Sequence, residues 1–266
     1  MKNLILLSVL FCIATSAAAQ TRVTDISQAP LNGKVKRVTT YTFRGGDHVA
    51  PDTTASAEKT IETFDEKGWA IEEKMYDKTG TLQERFSFKY VGDSVVMSNQ
   101  FDGSGKLSVN YIYKYDTHGN ETEFDMKSDA QPQTRIAKVD YRGIYKYDEF
   151  GNRVSEEQYI DYDKLSMKSV SKYNDRHQMI QSDEESFFGE VVKKSNTIYT
   201  YDNVGNFIKS EIYDADGNLT GGNTATYGKL DKYGNWLKET SSYSGHSVRQ
   251  GDFIFTTITK LVIQYY

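Results

Sequence analysis

The sequence predicts an all-β protein, an antiparallel β-meander of short hairpins that is strongly twisted and either coiled or partly closed into a barrel-like form. Three observations lead to this fold class. A short turn motif recurs along the chain, aromatic residues alternate with other residues before it, and long segments with helical periodicity are absent. Tyrosine accounts for 20 of the 266 residues and proline for only 3, which is a composition typical of strands.

The turn motif is an aromatic residue followed by Asp-x-x-Gly, often with Asn next. An Asp at the first position of a type I turn accepts hydrogen bonds from later backbone N–H groups, and Gly supplies the left-handed residue that realigns the next strand. Each copy therefore predicts a strand, a tight turn and a second strand. Nine copies, two of them degenerate, begin at Phe64, Tyr76, Phe101, Tyr115, Tyr147, Tyr173, Tyr201, Tyr213 and Leu230.

The segments that flank the turns have the period of two that is expected of strands. In "YIYKYDTHGN" the rings of Tyr111, Tyr113 and Tyr115 fall on one face of a sheet. Successive copies lie 12 to 14 residues apart, or about twice that where a weaker turn such as "YVGDS" or "FFGE" intervenes. Successive strands are therefore predicted to be hairpin neighbours, and we expect about sixteen of them between residues 35 and 266.

Two segments interrupt this rhythm and are predicted to be exposed loops. Residues 44–56, "RGGDHVAPDTTAS", contain two glycines and Pro51, and residues 125–135, "DMKSDAQPQTR", contain Pro132 and few apolar residues. Both compositions are typical of connections rather than of strands.

The first nineteen residues have the pattern of a secretory signal peptide. Lys2 precedes a short apolar run, and small residues at positions 17–19 suit cleavage before Gln20. The prediction is a cleaved signal peptide at residues 1–19 and a single β-repeat domain at residues 20–266, exported to the periplasm or the cell surface. Because Cys12 is the only cysteine, the exported chain has neither disulfides nor thiolate metal sites.

Charge and hydropathy exclude two classes of partner. Without residues 1–19 the 32 basic residues fall to 31, against 37 acidic residues, so the net charge is −6 and no basic face is present. Nucleic acid is therefore not expected as a partner. No segment of the exported chain is apolar over the length of a membrane-spanning helix.

At "YIYKYDTHGNETEF", "GIYKYDEFGNRV" and "TIYTYDNVGNFI" the chain resembles the Rhs-type tyrosine-aspartate (YD) repeats of bacterial cell-surface and secreted proteins. The similarity covers about residues 60–240 and lies mainly in the turns. It implies a non-enzymatic β scaffold in an extracytoplasmic setting, and no catalytic residue of that family maps onto this sequence. Nine copies are too few for the large enclosing shell that such repeats can build, so only the architecture is carried over.

The aromatic residues are the candidate ligand-binding residues, and two interpretations of them remain open. The rings either pack one face of the sheet or form an exposed ladder that stacks on sugar rings or on a partner chain. Trp69 and Trp236 each follow a turn, and Tyr113 and Tyr145 lie on strands before turns. These four residues are the predicted binding positions.

Catalytic and metal-binding motifs are missing from the sequence. The four histidines are far apart, no Gly-x-Ser-x-Gly nucleophile motif occurs, and "DADGN" at residues 214–218 lacks the glutamate that a calcium-binding loop would need. No cofactor, no metal and no catalytic residue is therefore predicted. Scattered acidic residues leave an envelope carbohydrate-active enzyme as an alternative.

The expected function is that of a non-catalytic scaffold or binding module of the bacterial cell envelope, with a glycan or another envelope protein as its ligand. A small outer-membrane β-barrel is a further alternative, because the chain ends on aromatic residues, Tyr265 and Tyr266. Charged residues near the middle of segments such as "VSEEQY" and "IKSEIY" count against it.

Overall fold

The computed structural model describes residues 31–128, 140–247 and 251–266. The predicted signal peptide lies outside these residues. The described part of the chain forms sixteen strands and no helix. The strands are β1 (Val35–Asp47), β2 (Glu58–Phe64), β3 (Ala70–Tyr76), β4 (Leu82–Val91), β5 (Ser94–Asp102), β6 (Leu107–Tyr115), β7 (Glu121–Ser128), β8 (Tyr141–Tyr147), β9 (Arg153–Ile160), β10 (Lys164–Tyr173), β11 (Met179–Phe188), β12 (Val191–Tyr201), β13 (Phe207–Asp214), β14 (Leu219–Tyr227), β15 (Lys238–Ser247) and β16 (Gly251–Tyr265).

The strands form one closed antiparallel barrel in which every strand pairs with its neighbours in the sequence and β1 pairs with β16. The predicted all-β meander is therefore confirmed, and the degree of closure, which the sequence left open, is complete. The closing pair runs in register from Val38 opposite Ile263 to Arg44 opposite Thr257. We call this β1–β16 pairing the closure seam.

Residues 31–128, 140–247 and 251–266 contain no helix that is long and apolar enough to cross a membrane.

All nine copies of the turn motif adopt the predicted turn with the same hydrogen bonds. The backbone N–H of the Asp or Asn at the first turn position donates to the carbonyl four residues later, and the N–H three residues on donates back to it. One carboxylate oxygen of Asp116 also accepts the N–H groups of His118 and Asn120, at 2.8 and 2.9 Å. The turn glycines have φ between 81° and 100°, the left-handed region. His177 takes the glycine position in the degenerate copy at Asn174, with φ of 60°.

We predict that Gly119→Ala lowers the free energy of unfolding by about 1 kcal/mol, because a Cβ is disfavoured at its φ of 84° although no atom lies within 4 Å of it. The matched control is Gly46→Ala, where φ is not positive and the new Cβ would make only ordinary contacts of 3.5 Å with Val49. Urea denaturation measures both variants. Equal losses in the two would contradict the conformational explanation.

Two loop predictions were wrong at one boundary each. Residues 44–47 belong to β1 and pair with β16, because a bulge between Arg44 and Asp47 carries the strand past the two glycines. Residues 125–128 belong to β7, where Asp125 lies opposite Arg142 and Met126 lies opposite Tyr141. The remainder of the second predicted loop, residues 129–135, lies outside the described residues.

The two faces of the barrel wall differ in burial and charge. Most strand residues that are almost fully buried project from one face, and include Val38, Thr40, Glu62, Phe64, Glu73, Phe86, Ser98, Phe124, Met126, Tyr145, Glu156, Ser210, Ala225, Glu239, Thr259 and Leu261. Side chains crowd together on the concave side of a closed sheet and spread apart on the convex side. This is therefore the inner face, and the other is the outer face. Phe43 is buried on the outer face, where Lys260 lies 4.9 Å from its ring.

Most of the buried apolar residues belong to two clusters on the inner face. One cluster lies at the closure seam and contains Leu31, Val35, Val38, Phe64 and Leu261. The second lies on β7 and β8 and contains Phe124, Met126 and Tyr145. Between β9 and β13 the inner face is lined largely by hydroxyl-bearing residues, which are Ser169, Ser171, Ser182, Ser186, Ser195, Thr197 and Ser210.

Candidate functional site

The inner face contains most of the aromatic residues that the sequence singles out, and the structure separates them into three locations. Tyr113 and Tyr145 meet around Phe124 in the β7–β8 cluster, where the rings of Phe124 and Tyr145 stack at 6.1 Å. Trp69 lies at the start of β3 with its ring 5.4 Å from Tyr90. Trp236 lies between β14 and β15, directly after the turn at residues 231–235, with its ring 4.3 Å from that of Tyr227.

Burial limits what these four residues offer to a ligand. Tyr145 is 4% exposed and Trp236 is 8% exposed, so neither ring presents an open surface. Trp69 and Tyr113 are half-buried, and the hydroxyl of Tyr113 lies 2.9 Å from that of Ser98. A ligand-binding role for the four positions stays a prediction, and Trp69 and Tyr113 are the two with accessible surface.

A recurrent tyrosine contact joins neighbouring strands at one rim of the barrel, which we call the tyrosine rim. It carries the turns at residues 65–69, 116–120, 148–152, 174–178, 202–206 and 231–235. The hydroxyl of Tyr173 donates to the carbonyl of Arg153, that of Tyr201 to Met179 and that of Tyr227 to Phe207, at 2.8 to 2.9 Å. In each case the acceptor is the first residue of a strand, directly after the previous turn of the same rim.

Burial beside these contacts raises the pKa of Tyr201 to about 12, with the nearby Tyr199 as a secondary cause. The hydroxyl therefore stays protonated and continues to donate its hydrogen bond throughout the physiological range. The tyrosines of this rim thus hold consecutive hairpins together where the backbone ladder ends.

The aromatic residues that begin the turn motifs at the opposite rim project outward instead. Tyr76 and Phe101 project from the outer face, where Lys59 lies 4.3 Å from the first ring and Arg85 lies 4.2 Å from the second. The interpretation that all rings share one face of the sheet is therefore corrected. Consecutive hairpin turns lie at opposite rims of the barrel. The aromatic residue that begins a turn motif therefore faces inward at the tyrosine rim and outward at the opposite rim.

We expect Tyr201→Phe to lower the free energy of unfolding by about 1 kcal/mol, because the carbonyl of Met179 loses its hydroxyl donor. Tyr213→Phe is the matched control, since Tyr213 anchors a turn of the opposite rim and projects from the outer face. Chemical denaturation followed by far-ultraviolet circular dichroism measures both. A loss that is the same for both variants would refute the structural role of the tyrosine rim.

Buried carboxylates are the inner-face feature that sequence reasoning missed. Glu62, Glu73 and Glu239 are 3–4% exposed, and Glu121 and Glu156 are 7–8% exposed. Glu62 lies directly opposite Glu73 on the neighbouring strand. Strand alternation could have identified two of these glutamates. Glu156 and Glu239 lie directly opposite the inward-facing Tyr145 and Tyr227 on neighbouring strands, so they share the inner face.

Burial raises the pKa of two of these carboxyl groups. It raises the pKa of Glu121 to about 8, with Arg153 opposing and Glu156 adding to the shift. It also raises the pKa of Glu239 to about 8. Both side chains are therefore largely protonated at neutral pH, which removes the cost of burying their charge.

Arg153 organises the acidic cluster around Glu121. Its Nη2 lies 3.5 Å from Oε2 of Glu156, and its guanidinium lies 4.7 Å from the centre of the Tyr145 ring. Gln158 donates to the other oxygen of Glu156 at 2.6 Å. A neutral acid beside a paired carboxylate is an arrangement that general acid–base chemistry uses, and it is equally an arrangement that stabilises a polar wall.

The outer face is covered by ion pairs between neighbouring strands. Glu123 contacts Lys114 at 2.6 Å and Arg142 at 3.0 Å. Glu185 contacts Lys168 at 2.8 Å and Lys194 at 2.9 Å, and these contacts hold the pKa of Glu185 below its usual value. Glu185 lies near the middle of β11 and Glu123 is the third residue of β7, so charge is present at the waist of the barrel as well as nearer its rims.

Metal ligation has no support from side-chain grouping. Across residues 31–128, 140–247 and 251–266, histidines, cysteines and carboxylates do not form any group of three that could hold an ion. Asp214 accepts the N–H groups of Asp216 and Asn218 at 3.0 and 2.9 Å, so the segment that resembles a calcium loop is used as a turn.

Comparison with known proteins gives weak similarities. No protein-family model matches the chain, and the search of curated proteins found no significant match. A porin-like protein from Bacteroides uniformis aligns over 88% of this chain and 98% of its own, with 10% identity and a TM-score of 0.47. The Tc holotoxin pore of Photorhabdus luminescens aligns over 73% of this chain and 13% of its own, with 13% identity and a TM-score of 0.30. A TcdB2–TccC3 structure gives 15% identity and a TM-score of 0.30. The resemblance to YD-repeat proteins stays a prediction.

Proposed function

We propose that this chain is an exported, non-catalytic β-barrel module of the bacterial cell envelope that binds a glycan or another envelope protein on its inner wall, while its outer wall faces water. The observation that carries the proposal is the contrast between the two faces. Ion pairs lie on the outer face and reach its waist at Glu185, whereas tyrosines, hydroxyls and protonated carboxyls line the inner face.

The outer face is the reason for placing the barrel in water. A barrel that spans a bilayer needs an apolar band around its waist, and a charged side chain at the midplane costs roughly 2–4 kcal/mol. Glu185 with its two lysines lies at that level on β10, β11 and β12. An exported, water-exposed barrel accounts for these triplets without such a cost. The YD-repeat resemblance supports the same extracytoplasmic setting.

The inner face is the reason for proposing a binding role. Ligand sites combine aromatic surface with a few polar groups that fix orientation. Half-buried rings such as Tyr113 and Trp69 supply the first, and the hydroxyl-lined stretch from β9 to β13 supplies the second. A polar ligand suits the hydroxyl-lined stretch better than an apolar one, because its serine and threonine side chains can donate and accept hydrogen bonds.

Vesicle flotation of the chain from residue 20 onward, produced without detergent, tests this proposal. We expect a folded β-protein that is monodisperse in buffer and stays at the bottom of the gradient. The double variant Lys168→Leu/Lys194→Leu is the comparison protein, because it removes two charges from the outer face and should be less soluble. Folding only with detergent, or flotation together with ion conductance, would instead establish a membrane-spanning barrel.

An envelope carbohydrate-active enzyme is the second candidate, and the Glu121–Arg153–Glu156 cluster is the observation that favours it. Such an enzyme needs one protonated and one ionised carboxyl group. Release of nitrophenol from a panel of nitrophenyl glycosides tests it, with Glu121→Gln and Glu156→Gln as paired variants. Turnover by the wild-type chain that both variants lose would replace the non-catalytic proposal.

A further inference from the structure

An exposed group of aromatic rings lies on the inner face near the rim opposite the tyrosine rim. The rings belong to Tyr243 on β15 and to Phe253 and Phe255 on β16. Ring centres lie 5.7 Å apart between Tyr243 and Phe253 and 5.5 Å apart between Phe253 and Phe255. Tyr243 and Phe255 are 40% and 41% exposed, unlike the buried Tyr145 and Trp236. We call these three residues the aromatic platform.

Glycines in the adjacent wall make room for the platform. The ring of Phe253 covers Gly245, where a Cβ would lie only 2.7 Å from Cζ of that ring. Gly221 lies opposite Gly245 on β14, where a Cβ would lie 2.8 Å from the backbone oxygen of Ser244 and in ordinary contact, at 3.6 Å, with the hydroxyl of Tyr243. Phe253 therefore rests on the backbone of Gly245, and Tyr243 and Phe255 beside it keep exposed ring surface.

Polar side chains border the platform on both sides. Asn223 lies directly opposite Tyr243 on β14, and Asp47 lies opposite Phe255 on β1. Arg44, whose side chain is 59% exposed, lies one inner position further along β1 and contacts Glu58 at 2.9 Å. An amide, a carboxylate and a balanced guanidinium–carboxylate pair can all exchange hydrogen bonds with hydroxyl groups.

We propose that the aromatic platform is a subsite for the pyranose rings of a neutral oligosaccharide. This deepens the proposed function and rests on it, since it names the ligand class and the place on the inner wall. The apolar C–H face of a sugar ring stacks on an aromatic face, while its hydroxyls need donors and acceptors at the edge. An anionic polymer would meet Asp47 and the net charge of −6, and a cationic one would meet Arg44.

Isothermal titration calorimetry with cellohexaose, mannohexaose and chitohexaose tests the platform. We expect at least one of these oligosaccharides to bind the chain from residue 20 onward, and Tyr243→Ala with Phe255→Ala to weaken that affinity by about tenfold or more. Tyr243→Phe keeps the ring and should stay within about threefold of wild type. Phe150→Ala is the control, because Phe150 is 68% exposed at the tyrosine rim, outside the platform.

Folding of each variant is checked by circular dichroism and by its urea midpoint, and Gly245→Ala gives a second route if the double variant does not fold. That change should weaken binding by displacing Phe253 while all three rings remain. If an oligosaccharide binds the double variant as tightly as wild type, the platform assignment fails and the binding role of the inner wall survives. If none of the three binds the wild-type chain, the saccharide proposal is overturned, and the flotation experiment still tests separately whether the barrel is water-exposed or spans a membrane.

Discussion

Replacing Asn235 with alanine is expected to lower the free energy of unfolding by about 3 kcal/mol, the largest effect of any single side chain outside the apolar clusters. Asn235 is 4% exposed and joins three separate parts of the chain. Its side chain accepts the N–H of Asn32 at 2.6 Å, donates to the carbonyl of Asn32 at 2.9 Å and donates to the hydroxyl of Tyr265 at 2.8 Å. The hydroxyl of Tyr265 in turn donates to Asp231.

These bonds fasten the closure seam at the tyrosine rim, and alanine would leave several polar groups there without partners. The matched control is Asn218→Ala, because Asn218 holds the same place in an exposed turn and its amide nitrogen bonds only to Asp214, at 3.1 Å. We expect a loss of about 0.5 kcal/mol for the control. Urea denaturation of both variants measures the difference. Similar losses would show that Asn235 acts as an ordinary turn residue.

The second large effect is a fall in stability as the pH rises from 5 to 8, and Glu239→Gln should reduce it. The folded pKa of Glu239, about 8, lies above the ordinary glutamate pKa of 4.5 because the side chain is buried. The folded state therefore binds a proton that the unfolded state releases, so the stabilisation is complete below about pH 4.5 and is lost as the pH rises toward 8. At pH 8 we expect Glu239→Gln to be more stable than wild type by about 3 kcal/mol, and at pH 5 nearly equal.

Urea unfolding at pH 5 and pH 8 measures this difference, with Glu185→Gln as the control. Glu185 lies on the outer face with its pKa lowered by Lys168 and Lys194, so it is ionised at both pH values and should not change the slope. The turn aspartates act in the opposite sense at lower pH. Their accepted hydrogen bonds lower the pKa of Asp116 and Asp202, so their stabilisation is lost as the pH falls below the usual range of a carboxyl group. An unchanged slope in Glu239→Gln would mean that its carboxyl is ionised in the folded barrel.

Local signals were enough to predict the turns and the strands. Each turn motif contains its own hydrogen-bond acceptor and its own left-handed residue, so its conformation depends on five adjacent residues. The strand order followed because every pairing except one joins sequence neighbours. The exception could not be predicted. Thr40 and Leu261 pair across the closure seam, and no pattern within either segment specifies the other.

The candidate site was predictable only in part, because burial depends on curvature. Tyr145 and Tyr76 each precede or flank a turn, yet one ring is enclosed by the concave wall and the other lies on the outer face beside Lys59. Alternation identifies two sets of residues but does not say which set is inside. The burial of Glu239 could not be predicted for the same reason, because the residues around it belong to β14 and β16 rather than to its own segment.

The pairing of each strand with its sequence neighbours has a consequence for how such a molecule can change over evolutionary time. A duplicated or deleted pair of hairpin strands would leave every other ladder intact, and only the junction of the first and last strands would need to meet at a new circumference. The tandem motif could therefore give rise to barrels with different numbers of strands and different diameters, whose interiors would accommodate larger or smaller ligands.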